Sequence, residues 1–383
     1  MRSVVVAALL CTAALCVGAE ARLAISANDG KQLQDGEPKT VTPDSVSVLD
    51  LSTYPPKVIG DVKMPASMIG SPVAVVVSRD ESFAIVASSQ KVNPADPMHP
   101  ADDDKVSVVD LTTPSKPRLL QTVTAGPGAT AVSMNKPQNL VLVAAKMDDA
   151  IHVFRLAGKT LTHVGRVDLG KGAAPTDVLF TPDDRHAYAI TMGAGKVMEL
   201  AIDGAKVTAT GQDLAVGKSS YGAVITPDGR WLINTNVGGA LTGTDHTGTL
   251  TMVDLKTHRL ALTLPVGKTP EHVALSPDGK HIAVVLANGT PYVKSMPNYD
   301  QVWGILKVFS VGPGTLTEVA HADSCHWAQG ATWSEDGKLI LQQCASERQI
   351  MVYRFDGKNL TQDKAATIPF ESRPGSISTR LSR

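Results

Sequence analysis

Seven stretches of this chain repeat one pattern of apolar and polar positions: "SVSVLDLST" (45–53), "KVSVVDLTT" (105–113), "AIHVFRLAG" (150–158), "KVMELAIDG" (196–204), "TLTMVDLKT" (249–257), "ILKVFSVGP" (305–313) and "QIMVYRFDG" (349–357). The second position is always aliphatic: Val46, Val106, Ile151, Val197, Leu250, Leu306 and Ile350. The seventh is Leu51, Leu111, Leu156, Ile202, Leu255, Val311 and Phe355. Near-continuous apolar character predicts a strand buried on both faces, between two neighbouring sheets.

Two further strands precede the repeated one in most copies. An opening strand runs into a hairpin turn such as "TPDG" or "SPDG", in which proline presets φ, aspartate caps the turn with its side chain and glycine takes the left-handed position. The return strands read "SFAIVAS", "LVLVAA", "HAYAIT", "WLINTN", "HIAVVLA" and "LILQQC". With a more variable fourth strand, each unit is a four-stranded antiparallel sheet that cannot bury both faces alone. Such sheets stack radially, so the pattern predicts an all-β, seven-bladed β-propeller.

The two ends of the chain are out of register with the repeat. "RLAISANDG" (22–30) resembles a return strand with no opening strand ahead of it, and "SRPGSISTR" (372–380) an opening strand with nothing behind it. Pairing the two completes a composite first blade and closes the ring by main-chain hydrogen bonds; the alternative is a frayed tail.

Composition narrows the picture around this fold. The net charge of −1, with Lys and Arg scattered, gives no basic field for nucleic acid. Residues 1–21 carry Arg2, the apolar run "VVVAALLCTAALCVG" and a small-residue site ending at Ala21, the layout of a cleaved export signal rather than a membrane span. The expected organisation is a signal peptide (1–21) and one propeller (22–383), periplasmic or secreted. Cleavage leaves two cysteines, Cys325 and Cys344. Folding the hairpin about "SEDG" brings them to the same end of one blade and predicts a disulfide, with two buried thiols as the alternative.

The stretch "HTGTLTMVDLKTHRLALTLPVGKTPEHVALSPDGKHIAVVLANG" (246–289) resembles the YVTN-repeat β-propellers, and in weaker form the resemblance extends over residues 22–383. The nearest form of the eponymous tetrad is "INTN" at 233–236, and the Trp-Asp ending of WD40 blades is absent. The resemblance implies a seven-bladed, exported protein. Related propellers include lactone-opening enzymes, subunits of periplasmic dehydrogenases, haem d1 maturation proteins and binding or surface proteins, so it narrows architecture more than chemistry.

Connections between blades, and those between return and repeated strands, share one end of the ring. The loops there are long in blades one, two, five and six: "GKQLQDGEPKTVTPD", "KVNPADPMHPADDD", "GGALTGTDHTG" and "NGTPYVKSMPNYDQVWG". Long loops on one face of a rigid ring point to function. Residues flanking the start of each opening strand are expected to line the channel there: Asp177, Lys218, Tyr221, Lys268, Glu271, His272, His326, Trp327 and Arg373. This polar set suits a small anionic ligand bound through charge-assisted hydrogen bonds.

His272 and His326, on adjacent blades, would join Asp177 or Glu271 in a metal constellation if they faced each other. No tight ligand motif supports one, and the expectation is no metal and no cofactor. "ADDDK" (101–105) reads as a solvated loop rather than a calcium site.

The leading functional expectation is an exported binding or scaffold propeller that presents its loop-rich face to a small anionic molecule or an exported protein. The alternative is a lactone hydrolase, with His272 or His326 as general base and Arg373 or Lys268 stabilising the oxyanion; Glu271 is a further catalytic candidate with no assigned role. A third reading, a structural partner of a redox enzyme, would place any redox centre in the partner, because no haem-attachment motif is present.

Overall fold

The computed structural model describes residues 22–34, 40–240, 246–290, 294 and 297–380. The expected export signal lies outside the described residues, as do parts of three of the four long loops. The architecture is a seven-bladed propeller of antiparallel sheets, and among the described residues the helices are single 3-10 turns. No helix is long and apolar enough to cross a membrane.

Each repeated strand is the third of its blade and is sandwiched between neighbouring blades. In blade two, Val106 and Val108 pack with Ile85 and Ala87 against Val132, Val141, Val143 and Phe154 of blade three. All eight side chains are buried, each of the larger ones contributing about 1.5–3 kcal/mol. Blade seven carries an additional two-residue strand, Ile368–Pro369, on its repeated strand.

The hairpin turns use the chemistry their sequence implies. Thr181, Ser276 and Ser334 donate hydroxyl hydrogen bonds of 2.6–2.7 Å to Asp183, Asp278 and Asp336, two residues on. Each aspartate also accepts a backbone N–H from two residues further along. Gly229 and Gly279 take φ of 71° and 70°, the left-handed region that turns the chain back.

The ring closes as the orphan strands require. Arg373–Thr379 pairs antiparallel with Leu23–Asp29 and becomes the innermost strand of blade one. Ile377 packs with Ala24 and Leu49 of blade one and with Leu341, Ile350 and Val352 of blade seven. Cys325 and Cys344 form a buried disulfide with a Cα–Cα distance of 5.6 Å.

One expectation is corrected. "ADDDK" belongs to the strand Ala101–Asp110, paired through Lys91↔Ala101 and Gln90↔Asp102. The pleat turns Asp103 inward and leaves Asp102 exposed, so the three carboxylates do not converge as a solvated loop would let them.

Candidate active site

In every blade except the second, the register of the innermost strand shifts near its start. Three of the extra residues are Thr130, Thr176 and Glu271, lying between Ala129/Ala131, Pro175/Asp177 and Pro270/His272. A bulge re-aims side chains, and here it sets which atoms of the predicted site residues meet the next blade.

The residue after the bulge ties its blade to the next. The Ala223 N–H donates to Asp177 Oδ2 at 3.0 Å, and the Ala331 N–H donates to His272 Nδ1 at 2.9 Å. At the ring closure the Ala74 N–H donates to Ser376 Oγ at 2.9 Å. Asp177 and His272 therefore bond from one innermost strand to the next. His272 accepts at Nδ1, so as a neutral ring its proton sits on Nε2.

The bulge residues also bond across to the next blade. Thr176 Oγ1 donates to the Tyr221 carbonyl at 2.7 Å. Glu271 is 3% exposed, and Gln329 Nε2 donates to its Oε2 at 2.9 Å. Burial pushes the Glu271 carboxyl up to about 8, and the Gln329 hydrogen bond offsets only part of that rise. Glu271 is thus a largely protonated acid at neutral pH. Around it, Ser71 Oγ, Thr269 Oγ1 and Gln329 Oε1 are buried with no hydrogen-bond partner among the described residues. A Cβ on Gly222 would sit 2.9 Å from Ser71 Oγ and 3.4 Å from the Glu271 carbonyl oxygen, which places the Ser71 hydroxyl beside the glutamate backbone.

Residues 64–71 lie across this end of the channel. Met68 packs on Trp327 and Ala345 and lies against Gly375, where a side chain would collide with it. Gly70, at φ 123°, lies against the Thr130 side chain. The crossing is anchored by polar groups: the Met68 N–H donates to Asp29 Oδ2 at 3.0 Å, Ser89 Oγ to the Ile69 carbonyl at 2.5 Å, and Lys31 Nζ to the Ala66 carbonyl at 2.5 Å. Lys31, itself buried, pairs with Asp29 at 3.2 Å and Asp44 at 3.0 Å. Arg373 is spent on the same scaffold. Its Nε donates to the Gln32 carbonyl at 2.9 Å and its Nη1 to the Ala345 carbonyl at 2.8 Å, with the guanidinium 5.9 Å from the Trp327 ring centre.

His326 sits at the rim, stacked on Tyr299 with ring centres 3.7 Å apart and flanked by Trp303 at 4.3 Å. Its Nδ1 bonds Glu347 at 2.6 Å and its Nε2 bonds the Tyr299 carbonyl at 3.0 Å. Burial alone would lower its pKa, but those two hydrogen bonds and the charges of Glu347 and Asp300 outweigh burial and hold it above the ordinary value. Both nitrogens are therefore engaged. Trp303 also walls a cleft of about 550 Å³ with Lys268, Asn288 and Asp323, while Lys218 lies in a separate cleft of about 660 Å³ beside Lys146 and a glycine-rich rim.

The structure thus joins Glu271 to Gln329 and Trp327 to Arg373, and sets Lys268 in the cleft walled by Trp303. His272 and His326 have separate partners. Among the described residues, the group with metal-ligand spacing is Cys325, Cys344 and Glu347, whose two sulfurs are consumed by the disulfide. Gln329, Ser71 and Glu347 escaped sequence reasoning. The signal for Gln329 was present, because "HWAQGATW" aligned on "KTPEHVAL" puts it opposite Glu271.

Seven blades of antiparallel strands, sealed by the C-terminal strand, define a seven-bladed β-propeller. The family described as "Lactonase, 7-bladed beta-propeller" matches residues 59–293, more than half of the chain, and the chain belongs to it. No curated protein matches the chain in sequence. Among solved structures it is similar to the periplasmic gluconolactonase of Pseudomonas aeruginosa, at 13% identity and TM-score 0.70, over 94% of this chain and 99% of that one. A candidate 6-phosphogluconolactonase of Bacteroides fragilis is similar at 16% identity and TM-score 0.69, over 94% of this chain and 98% of that one. Hydrazine synthase of Kuenenia stuttgartiensis is similar too, at 15% identity and TM-score 0.62, over 82% of this chain and 91% of that one. At these identities the likeness is one of fold.

Proposed function

We propose that this protein hydrolyses sugar-acid lactones at the loop-rich end of its channel, with Glu271 as the acid–base group. The observation that carries the reading is a fully buried carboxyl, raised to about 8, set among buried polar atoms that lack partners, in a chain of the lactonase propeller family. In the carboxylate form Glu271 takes a proton from water as the water oxygen attacks the lactone carbonyl carbon. The tetrahedral intermediate then collapses, the ring C–O bond breaks, and the departing oxygen takes the proton back from Glu271. Gln329 holds the carboxylate through Oε2, and the Ser71 and Thr269 hydroxyls supply donors for the developing oxyanion. Entry requires residues 64–71 to lift from the mouth.

Export belongs to the same proposal: residues 1–21 have the layout of a signal, and the Cys325–Cys344 bridge suits an oxidising compartment. So does the finer YVTN-type placement, which rests on blades five and six. A binding protein without catalysis is the second reading, favoured by the covered mouth. The test is hydrolysis of glucono- and galactono-lactones above the spontaneous rate. The lactonase reading expects turnover that falls about 10³-fold in Glu271→Gln. No turnover by the wild-type protein, or turnover unchanged in the variant, rejects it.

A further inference from the structure

The opposite end of the channel holds a second concavity, which the lactonase reading does not use. It has a volume of about 380 Å³ and a mouth on the face of the hairpin turns. Its walls are the far ends of the innermost strands of blades two to six, and its depth is apolar: Val76, Met134, Leu179, Phe180, Val224 and Leu275. A closed ring makes such a funnel wherever strands end in aliphatic residues.

The rim is asymmetric in charge. Arg79 and Lys136 both lie on the side of blades two and three, and Gln138 Oε1 fixes their turns together by accepting the Arg79 N–H at 3.0 Å. Neither side-chain cation has an acidic partner among the described residues, and both residues are exposed. The third cation, Arg380, is already committed to Glu335 at 3.1 Å and lies 3.9 Å from Glu81. The single acid in the lining, Asp184, accepts the Lys136 N–H at 2.9 Å. Two unpaired cations on one lip above an apolar pocket of ligand-binding size are the arrangement that recognises a head and a tail separately.

We propose that this funnel is a binding site for a small amphipathic carboxylate, with its hydrocarbon tail in the apolar depth and its head between Arg79 and Lys136. Guanidinium and ammonium donors select a carboxylate over a neutral alcohol or a cation of the same chain length. The tail supplies affinity through the area it removes from water. The site is independent of Glu271, at the other end of the channel, so each stands or falls without the other.

The test titrates the full-length protein with decanoate, decanol and decyltrimethylammonium by calorimetry, below their micellar concentrations. A Phe180→Trp reporter in the funnel wall locates the event. The expected result is one saturable decanoate site per chain, a change in the reporter's emission, affinity at least tenfold lower in Arg79→Ala/Lys136→Ala, and no comparable binding of the cationic analogue. Both substituted residues are exposed, so the variant keeps its fold. No saturable decanoate binding, equal affinity in the double variant, equal binding of decyltrimethylammonium or a silent reporter would overturn the proposal.

Discussion

The two ends of the channel are built from the same seven strands, yet they differ in almost every physical respect. At the loop-rich end the connection between blades one and two folds inward. Residues 64–71 cross the mouth, Lys31 and Arg373 are buried to hold the crossing, and polar atoms are left without partners around a raised carboxyl. At the turn end the innermost strands and their hairpins surround an apolar funnel open to solvent. The strand starts carry bulges and polar side chains, whereas the strand ends carry aliphatic ones. Buried polar groups without partners are costly, and Ser71, Thr269 and Gln329 place three of them around Glu271.

This contrast can be broken in several ways, and the largest effect on stability belongs to the polar end. The folded chain holds the Glu271 proton up to about pH 8, while an unfolded glutamate releases it near 4.5. The folded pKa is raised, so stability is highest below pH 4.5, declines between 4.5 and 8 and levels off above. The decline is on the order of 5 kcal/mol at most. Denaturant melts from pH 5 to 9 should show it in the wild-type protein and a flatter curve in Glu271→Gln.

Next in size is the Cys325–Cys344 bridge, which closes a loop with a sequence separation of 19 beneath the rim. Replacing both cysteines with serine should cost about 3 kcal/mol by chain entropy and loosen His326 and Trp327, leaving the funnel untouched. Hydrogen exchange at residues 324–330 is the local readout. Asp177→Ala removes the acceptor of the buried Ala223 N–H and should cost about 1–3 kcal/mol, with little change in lactone turnover if Asp177 serves only to join blades. A loss of turnover much larger than the loss of folded protein would move Asp177 into the chemistry. Smallest of all, Lys136→Ala at the apolar end should change stability by less than about 0.5 kcal/mol and lactone turnover not at all.

Most of the fold was legible because a propeller writes its plan repeatedly. Seven copies of one strand count the blades, and the orphans at 22–30 and 372–380 disclose the closure. The site was legible only in part. The sequence places Asp177, Glu271 and His272 near the start of their strands, but a one-residue bulge in each decides which partners they meet on the next blade. No periodicity reveals that bulge. "ADDDK" misled because consecutive charges suggest a loop, while the pairing of Lys91 with Ala101 extends the hairpin and carries them into a strand. The crossing segment "MPASMIGS" has no strand alternation, and its Pro65 and Gly70 mark only a connection, so nothing local marks it as the cover of the mouth.

The most direct test of the Glu271 site is the pH dependence of kcat/KM for gluconolactone, measured against the spontaneous rate with the wild-type protein and Glu271→Gln side by side. A base with a pKa near 8 should give a rate that climbs through that pH and levels off above it, with the climb abolished in the variant. A wild-type profile already flat from pH 5 upward, or one with the same inflection in the glutamine variant, would contradict the account.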